Sequence, residues 1–323
     1  MLTDHLPRIS LAHLPTPLEP LPRLSAALGG PQLWIKRDDQ TGLATGGNKA
    51  RKLEFLVAEA LAQGATTLIT AGAPQSNHAR QTAAAAAKCG LRAVLVLGGG
   101  PPTQQRHGGN VLLDRLLGAE LRWAEGRDRA EVMAEVAKEE QAAGRRPYIV
   151  PYGGSNPVGA SGYVAALEEL AAQLAERSLR MDHVIFATSS GGTQAGLCVA
   201  AKALHFAARI VGISVDKEAK ALQATLAALA RDTAAHLGLE LHFAPDEFFV
   251  HDEYCGAGYG IVSKMERAAI RLLAETEGVL LDPVYTGRAL AGLIDLIGQG
   301  AFDEEEMVCF WHTGGTPGLF AYG

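Results

Sequence analysis

The sequence predicts an α/β protein in which parallel β-sheets are covered by helices. Three strand-like apolar runs, residues 67–70, 93–97 and 184–187, are each followed by a helical run. Strands that alternate with helices in this way form parallel sheets, because the chain returns along a helix before the next strand begins. The helical runs are residues 79–88, 111–117 and 194–204. With 323 residues and 48% hydrophobic content, the chain can bury the cores of two domains or of one large α/β unit.

Composition argues against several kinds of partner. The formal net charge is −6 at pH 7 and the basic residues are scattered, so neither nucleic acid nor an anionic membrane is an expected partner. No apolar run approaches the roughly 20 residues of a membrane helix. The four cysteines contain no CxxC pair and the ten histidines show no ligand spacing, which favours thiols in a reducing compartment over disulfides or metal. We therefore expect a soluble, cytoplasmic protein without a metal site.

Lys49 is the strongest candidate for a reactive group. It follows a Gly46-Gly47-Asn48 turn and begins a helix whose apolar face consists of Leu53, Leu56, Val57, Ala60 and Leu61. The positive end of a helix lowers the pKa of a nearby amine, and a neutral amine can form a Schiff base. The alternative is that Lys49 is one of three solvated cations, together with Arg51 and Lys52.

A run of small polar residues after the strand at residues 184–187 predicts a phosphate site. It ends in Ser190, Gly191, Gly192 and Thr193, and a helix opens at Gln194. Small residues free the backbone N–H groups, the hydroxyls add donors, and the helix N-terminus supplies positive potential. The run is neither a Walker sequence nor GxGxxG, so a nucleotide is not the favoured anion.

Further polar turns follow other strands. The turn at residues 72–78 contains Ser76, Asn77 and His78, which we expect at the carboxyl edge of a parallel sheet, although an N-cap alone explains this turn. Tyr259 and Tyr285 lie in glycine-containing turns, where core packing explains each tyrosine as well as catalysis does. A lysine, a phosphate loop and polar turns together predict pyridoxal 5′-phosphate as cofactor.

Several motifs resemble the family of D-cysteine desulfhydrases and 1-aminocyclopropane-1-carboxylate (ACC) deaminases. They are Gly-Gly-Asn-Lys-Ala-Arg-Lys-Leu-Glu at 46–54, Gln-Ser-Asn-His-Ala-Arg-Gln at 75–81, Ser-Gly-Gly-Thr-Gln-Ala-Gly at 190–196, Asp-Pro-Val-Tyr-Thr-Gly at 282–287 and His-Thr-Gly-Gly at 312–315. The resemblance spans residues 14–322. It implies the tryptophan-synthase-β-like fold, fold type II of pyridoxal-phosphate enzymes, with two open, twisted, mostly parallel sheets flanked by helices. It also implies a homodimer and a large domain, residues 1–50 and 162–323, into which a small domain, residues 51–161, is inserted.

The resemblance implies a role for each candidate residue. Lys49 holds the cofactor covalently and removes the α-proton of the substrate. The other cofactor contacts are Asn77 at the ring oxygen, the phosphate loop Ser190, Gly191, Gly192 and Thr193, and Thr286 and Thr313 near the ring. The substrate contacts are Ser76, Asn77, His78, Tyr259, Tyr285 and Thr313. Of these, Ser76, Tyr259 and Tyr285 are assigned with Lys49 to catalysis, and Tyr285 is preferred over Tyr259 as the acid for the leaving thiolate.

Two positions indicate β-elimination of D-cysteine to pyruvate, ammonia and hydrogen sulfide. ACC deaminases have glutamate and leucine where this chain has Thr286 and Thr313, and desulfhydrases have threonine at both. L-cysteate sulfo-lyase, ACC deaminase and a catalytically silent ligand-binding protein remain alternatives. The chain departs from the family in a short, glycine-rich segment at residues 98–108 and in Arg288, where lysine is usual.

Overall fold

The computed structural model describes residues 1–101 and 108–322, and in these ranges the chain alternates between strands and helices. The strands are β1 Leu18–Pro20, β2 Gln32–Arg37, β3 Thr67–Gly72, β4 Arg92–Leu97, β5 Glu120–Trp123, β6 Pro147–Ile149, β7 His183–Thr188, β8 Arg209–Ser214, β9 Phe249–His251 and β10 Met307–His312. The helices are α1 Pro22–Leu28, α2 Lys49–Ala62, α3 Asn77–Lys88, α4 Gly109–Leu116, α5 Arg129–Ala142, α6 Pro157–Glu176, α7 Gly192–Ala203, α8 Ala219–His236, α9 Lys264–Glu277, α10 Thr286–Gly298 and α11 Thr316–Leu319.

The strands form two sheets, and both are mainly parallel. The larger sheet has the order β1-β2-β10-β7-β8-β9, in which only the β1–β2 pair is antiparallel. The smaller sheet has the order β5-β4-β3-β6 and is parallel throughout. The prediction of mostly parallel sheets flanked by helices is confirmed. The three predicted strands lie within β3, β4 and β7, and the three predicted helices correspond to α3, α4 and α7.

Helices cover both faces of each sheet. Successive side chains of a strand point to opposite faces, so the side chains on both faces are buried. In β7, Val184 and Phe186 pack against α6, α7 and α8, whereas Ile185 and Ala187 pack against α1, α9 and α10. The smaller sheet repeats this pattern, with α2 and α3 on one face and α5 on the other. No helix in the described ranges is both long and apolar enough to cross a membrane.

A buried ion network joins β2, α2 and α6. The guanidinium of Arg51 donates to Asp38 at 2.8 and 2.9 Å and to Glu169 at 2.9 Å. Lys36 donates to the same Glu169 at 2.5 Å. Two cations thus face two carboxylates where little water reaches, and each charge has a partner of opposite sign. Since Arg51 follows Lys49 by two residues, the network fixes the start of α2.

The strands of the smaller sheet all fall within residues 67–149, inside the insert predicted at residues 51–161. The two predicted boundaries lie within α2 and α6, so the insert begins and ends inside helices that pack on each other. The division into two domains stays a prediction. The predicted departure at residues 98–108 falls in part on residues 102–107, which lie outside the described ranges.

Candidate active site

A cavity lies at the carboxyl ends of β3, β7 and β10, where open parallel sheets bind ligands. Among the predicted site residues, those that line it are Lys49, Ser76, Asn77, His78, Ser190, Gly191, Thr193, Tyr285 and Thr313. The structure therefore brings together side chains from separate motifs. Three predicted residues, Gly192, Tyr259 and Thr286, are not among the lining residues. Asn48, Tyr152 and Gly153 line the cavity without having been predicted.

The turn before Lys49 requires glycine. Gly46 has φ +74°, and a Cβ atom there would lie 1.9 Å from the carbonyl oxygen of Asp39. Asn48 then fixes the start of α2, because its backbone N–H donates to the carbonyl of Thr313 at 2.9 Å. Its side-chain amide donates to Thr193 Oγ1 at 3.2 Å. Lys49 follows as the first residue of α2, between the phosphate loop and the turn that contains Thr313.

The amine of Lys49 is suited to act as a base. Burial lowers its pKa from 10.5 to about 8, because the charged form loses its hydration. A substantial fraction of the amine is therefore neutral slightly above neutral pH. The alternative that Lys49, Arg51 and Lys52 are three solvated cations is wrong: Arg51 and Lys52 are each 1% exposed, because α2 packs on α6 and on the turn at residues 152–155.

The phosphate loop follows β7 as the sequence predicts. Gly191 has φ +87°, a left-handed conformation that glycine adopts without strain, and it caps the N-terminus of α7. The first backbone N–H groups of α7 have no intrahelical acceptors and, except for that of Gly192, which donates to Ser155 Oγ, are available to an anion. Ser190 Oγ lies 2.8 Å from Ser155 Oγ, and the hydroxyl of Thr188 is buried with no hydrogen-bond partner among the described residues. These are the donors that a phosphate group requires.

Lys52 brings a buried amine to this loop, and the sequence motif did not reveal its role. Its Nζ lies 3.2 Å from the carbonyl of Gly153 and 3.3 Å from Ser155 Oγ, which in turn accepts the backbone N–H of Gly192. It forms no ion pair within residues 1–101 and 108–322. Burial, and then the charge of Lys49, lower the pKa of Lys52 well below its ordinary value. A phosphate in the loop would supply the missing counter-charge. The sequence contained one indication of this role: Lys52 follows Lys49 by three residues, and residues three apart lie on the same face of a helix.

The N-terminus of α3 forms another wall of the cavity. Ser76 is the N-cap of α3, and its Oγ accepts the N–H of Ala79 at 3.1 Å, so the N-cap interpretation is confirmed. The ring of His78 does not stand free, because its Nε2 lies 2.8 Å from Thr70 Oγ1. Since the Thr70 hydroxyl donates to the carbonyl of Val150, Nε2 of His78 is the donor in this pair. Burial lowers the pKa of this histidine well below 6.5, so the ring is neutral. Its backbone N–H, in the first turn of α3, is the group that can reach a carboxylate.

Tyr285 and Tyr259 form a pair at the cavity. Their hydroxyl oxygens are 2.9 Å apart, and their rings meet edge to face with centroids 5.9 Å apart. Burial raises the pKa of both phenols, so both are protonated at neutral pH. Both also pack against the core of the larger sheet. Tyr285 lines the cavity and Tyr259 is not among its lining residues, so Tyr285 is the phenol better placed to meet a ligand.

Thr286 has an unexpected environment. It is fully buried at the start of α10, where its hydroxyl donates to Asp282 Oδ1 at 2.8 Å. Asp282 also accepts the backbone N–H groups of Val284, Tyr285 and Thr286 at 2.7 to 3.0 Å, so it holds the turn that leads into α10 and positions Tyr285. Contact of Thr286 with a cofactor ring stays a prediction. Thr313 lines the cavity, as the sequence predicts.

The described residues contain no cluster of three or more histidine, cysteine, aspartate or glutamate side chains that could hold a metal. The donors around the cavity instead fit the predicted cofactor. The phosphate loop, an unpartnered buried threonine hydroxyl and the Lys52 amine match a phosphate group, and the Lys49 amine matches an aldehyde.

Known proteins with similar sequences and structures support this interpretation. Residues 9–314 match the family described as pyridoxal-phosphate dependent enzyme. A D-cysteine desulfhydrase of Klebsiella pneumoniae (strain 342) is 47% identical over 321 residues, which cover 98% of this chain and 96% of that protein. A solved structure of an ACC deaminase homologue has a TM-score of 0.90 and 41% identity, and the match covers 100% of this chain and 96% of that chain. A pyridoxal 5′-phosphate-dependent aspartate racemase is similar in fold alone, with a TM-score of 0.67, 18% identity and coverage of 93% and 90%. The predicted fold type II is thereby confirmed.

Proposed function

The chain belongs to the family of pyridoxal-phosphate-dependent enzymes, and on this premise we propose that it is a carbon–sulfur lyase that acts on D-cysteine. Its cofactor is pyridoxal 5′-phosphate. The observation that carries the proposal is that a partly neutral Lys49 amine and a protonated Tyr285 phenol line one cavity. A base and an acid in one site are what β-elimination needs.

The cofactor would be held by both ends of the cavity. The phosphate belongs at the N-terminus of α7, with Ser190, Gly191, Gly192 and Thr193 as neighbours and Lys52 as counter-charge. The amide of Asn77 would face the ring oxygen. When bound, pyridoxal 5′-phosphate supplies an aldehyde that condenses with amines and a ring that withdraws electrons from the substrate α-carbon.

The substrate carboxylate fits the N-terminus of α3. The backbone N–H groups of Asn77 and His78 lie in its first turn, where no intrahelical acceptor exists. The carboxylate would thereby orient the α-proton of D-cysteine toward Lys49. Ser76 both caps this helix and lines the cavity, so its hydroxyl can support the same contact.

The reaction requires two proton transfers by residues of this chain. Lys49 Nζ takes the α-proton, and the electron pair of that C–H bond forms the Cα–Cβ double bond as the Cβ–S bond breaks. The thiolate leaves with the bonding pair and takes a proton from Tyr285. Tyr259, at 2.9 Å from Tyr285, can replace that proton or stabilise the resulting phenolate. The released 2-aminoacrylate then reacts with water to give pyruvate and ammonia.

Thr286 and Thr313 favour this reaction over deamination of ACC. ACC has no α-proton, so its ring must be opened by another path that depends on a strongly electron-withdrawing, protonated pyridine ring. A threonine hydroxyl favours that protonation far less than a carboxylate would. L-cysteate sulfo-lyase stays the nearest alternative, because a sulfonate leaving group could use the same base.

A substrate panel on the holoenzyme tests the proposal. Release of sulfide and pyruvate from D-cysteine, of sulfite and pyruvate from L-cysteate, and of 2-oxobutyrate and ammonia from ACC would be compared at equal enzyme concentration. D-cysteine should be turned over fastest, and Lys49→Ala should abolish turnover of each substrate. Preferred turnover of L-cysteate or ACC would replace the proposed substrate, and full activity of Lys49→Ala would contradict the assigned base. Absence of turnover, with the cofactor bound through Lys49, would favour the silent ligand-binding alternative.

We further propose a homodimer in the cytoplasm. All four cysteines carry free thiols in the structure, which supports a reducing compartment. Size-exclusion chromatography with light scattering would give the oligomeric state, and a monomer at micromolar concentration would contradict the dimer. Cell fractionation would test the location.

A further inference from the structure

Arg80 is a buried cation close to the cavity but not part of its lining. Its side chain is 0% exposed, and it forms no ion pair within residues 1–101 and 108–322. Burial lowers its pKa to about 10, so the guanidinium remains charged at neutral pH. The charges of Asp114 and Asp282 favour the cation, but neither carboxylate pairs with it directly, so its hydrogen bonds must compensate for much of the lost hydration.

The guanidinium binds three neutral acceptors from three segments. Nη1 donates to Asn77 Oδ1 at 2.9 Å and to Asn110 Oδ1 at 2.7 Å. Nη2 donates to the carbonyl of Gly46 at 2.8 Å. One planar group thus connects the first residue of α3, the N-terminal turn of α4 and the glycine turn that precedes Lys49. A lysine ammonium cannot reproduce this planar arrangement.

These contacts determine which way the amide of Asn77 points. Its Oδ1 accepts from Arg80 and also from Asn110 Nδ2, at 3.2 Å. If the amide were flipped, its NH₂ group would face these donors, and both hydrogen bonds would be lost. The Nδ2 donor is therefore directed away from Arg80. It has no hydrogen-bond acceptor among the described residues, and Asn77 lines the cavity.

Asn110 is itself held in one orientation. Its Nδ2 donates to the carbonyl of Gln75 at 2.9 Å, and its backbone N–H donates to Gln75 Oε1 at 2.7 Å. Its Oδ1 is therefore the atom that faces Arg80. The guanidinium of Arg80 can only donate and the carbonyl of Gln75 can only accept, so neither the Asn110 amide nor the Asn77 amide can flip without losing hydrogen bonds. The network therefore selects a single orientation for Asn77.

We infer that Arg80 is a positioning residue: it orients the Asn77 amide so that Nδ2 faces the cofactor, and it holds the turn at Gly46 so that Lys49 keeps its place. This inference rests on the proposed function, in which Asn77 contacts the cofactor ring. Arg80 itself touches neither cofactor nor substrate. Two of its three hydrogen bonds, those to Asn77 and Asn110, bear on the Asn77 amide, so most of its effect on cofactor affinity should pass through Asn77.

A double-mutant cycle tests that route. The apoproteins of wild type, Arg80→Lys, Asn77→Ala and the double variant would be titrated with pyridoxal 5′-phosphate, and the absorbance of the lysine-bound cofactor would be followed. Arg80→Lys and Asn77→Ala should each raise the dissociation constant about tenfold, the effect of one hydrogen bond of about 1.4 kcal/mol. In the Asn77→Ala background, Arg80→Lys should add less than about threefold, because the amide it orients is gone. Two unrelated effects would instead multiply to about a hundredfold.

Arg288→Lys is the matched control. Arg288 is also a buried arginine, 1% exposed, but it binds Glu266 and backbone carbonyls away from Asn77. It should change the dissociation constant less than about twofold. If Arg80→Lys proves unable to fold by circular dichroism, Asn110→Ala serves as the second variant, and its effect of about threefold should likewise vanish in the Asn77→Ala background.

The outcomes distinguish an error in the proposed contact of Asn77 with the cofactor from an error in the proposed role of Arg80. If Asn77→Ala leaves cofactor binding and its spectrum unchanged, the proposed contact of Asn77 is wrong. If Asn77→Ala weakens binding but Arg80→Lys does not, or if the two effects multiply, Arg80 does not act through Asn77 and the inference made here is overturned. An equal loss in Arg288→Lys would show that any buried arginine has this effect, which also overturns it.

Discussion

Replacement of Lys49 by methionine should stabilise the cofactor-free protein near neutral pH, although it removes the amine that the reaction needs. Burial lowers the pKa of Lys49 to about 8 in the folded protein. The folded state therefore disfavours the charged amine relative to the unfolded chain. Methionine has a similar length and no charge to desolvate, so the variant avoids this penalty.

The magnitude follows from the difference between the two pKa values. Lysine titrates at 10.5 when unperturbed and at about 8 here. At about 1.36 kcal/mol for each tenfold change in proton affinity, the variant should gain up to about 3 kcal/mol in free energy of unfolding. Lys52 adds to the gain in the same direction, because the charge of Lys49 contributes to the lowered pKa of Lys52.

The pH dependence identifies the cause. Below pH 8, Lys49 is charged in both states, so the folded state bears the full penalty. Between pH 8 and 10.5 the folded protein releases the proton while the unfolded chain keeps it, so the free energy of unfolding of the wild type rises with pH. The advantage of Lys49→Met should shrink over this window and vanish above it.

Urea denaturation of the apoproteins at pH 7 and pH 9.5 measures both quantities. Lys88→Met, at an exposed lysine in the last turn of α3, is the control and should change the free energy of unfolding little at either pH. A Lys49→Met variant no more stable than wild type at pH 7 would refute the reasoning. A gain equal at both pH values would assign the effect to packing and not to charge.

Three further experiments with substituted proteins probe the site. Thr193→Val should raise the dissociation constant of the cofactor about ten- to a hundredfold by loss of a hydrogen bond to phosphate, and an unchanged value in a titration would exclude that contact. Tyr285→Phe should slow sulfide release by about a hundredfold at full cofactor loading, whereas Tyr259→Phe, at a residue that does not line the cavity, should slow it less; the reverse order would make Tyr259 the acid. Thr286→Glu combined with Thr313→Leu should shift the ratio of sulfide release from D-cysteine to 2-oxobutyrate release from ACC toward ACC, and an unaltered ratio would assign the substrate preference to other residues.

Sequence predicts the parts of the site that are local in the chain. The turn before Lys49 and the phosphate loop after β7 are each one continuous segment of the chain. Their glycine, serine and threonine residues indicate a backbone that a ligand can approach closely. The carboxyl ends of parallel strands bring such turns to one edge, so their meeting at one cavity also follows from the predicted fold class.

Contacts between distant segments could not be predicted. Arg51 could be interpreted as solvated because its partner Glu169 is 118 residues away. Lys52 pairs with a turn that carries no motif, and the ring of His78 is bound to Thr70 on a neighbouring strand. The bond of Thr286 to Asp282 was missed for a different reason: it is local, but it depends on the path that the backbone takes into α10.

The ion network beneath α2 has a consequence for synthesis on the ribosome. Lys36, Asp38 and Arg51 emerge early, but Glu169, which neutralises both cations, is made only after more than half of the chain. Until then the nascent chain lacks both α6, on which α2 packs, and the second carboxylate that balances the two cations, so the helix that begins at Lys49 should not dock. We expect a fragment ending at residue 150 to be cut rapidly within α2 in limited proteolysis, whereas the full chain resists. Equal protection of the two would show that α2 docks without its last partner.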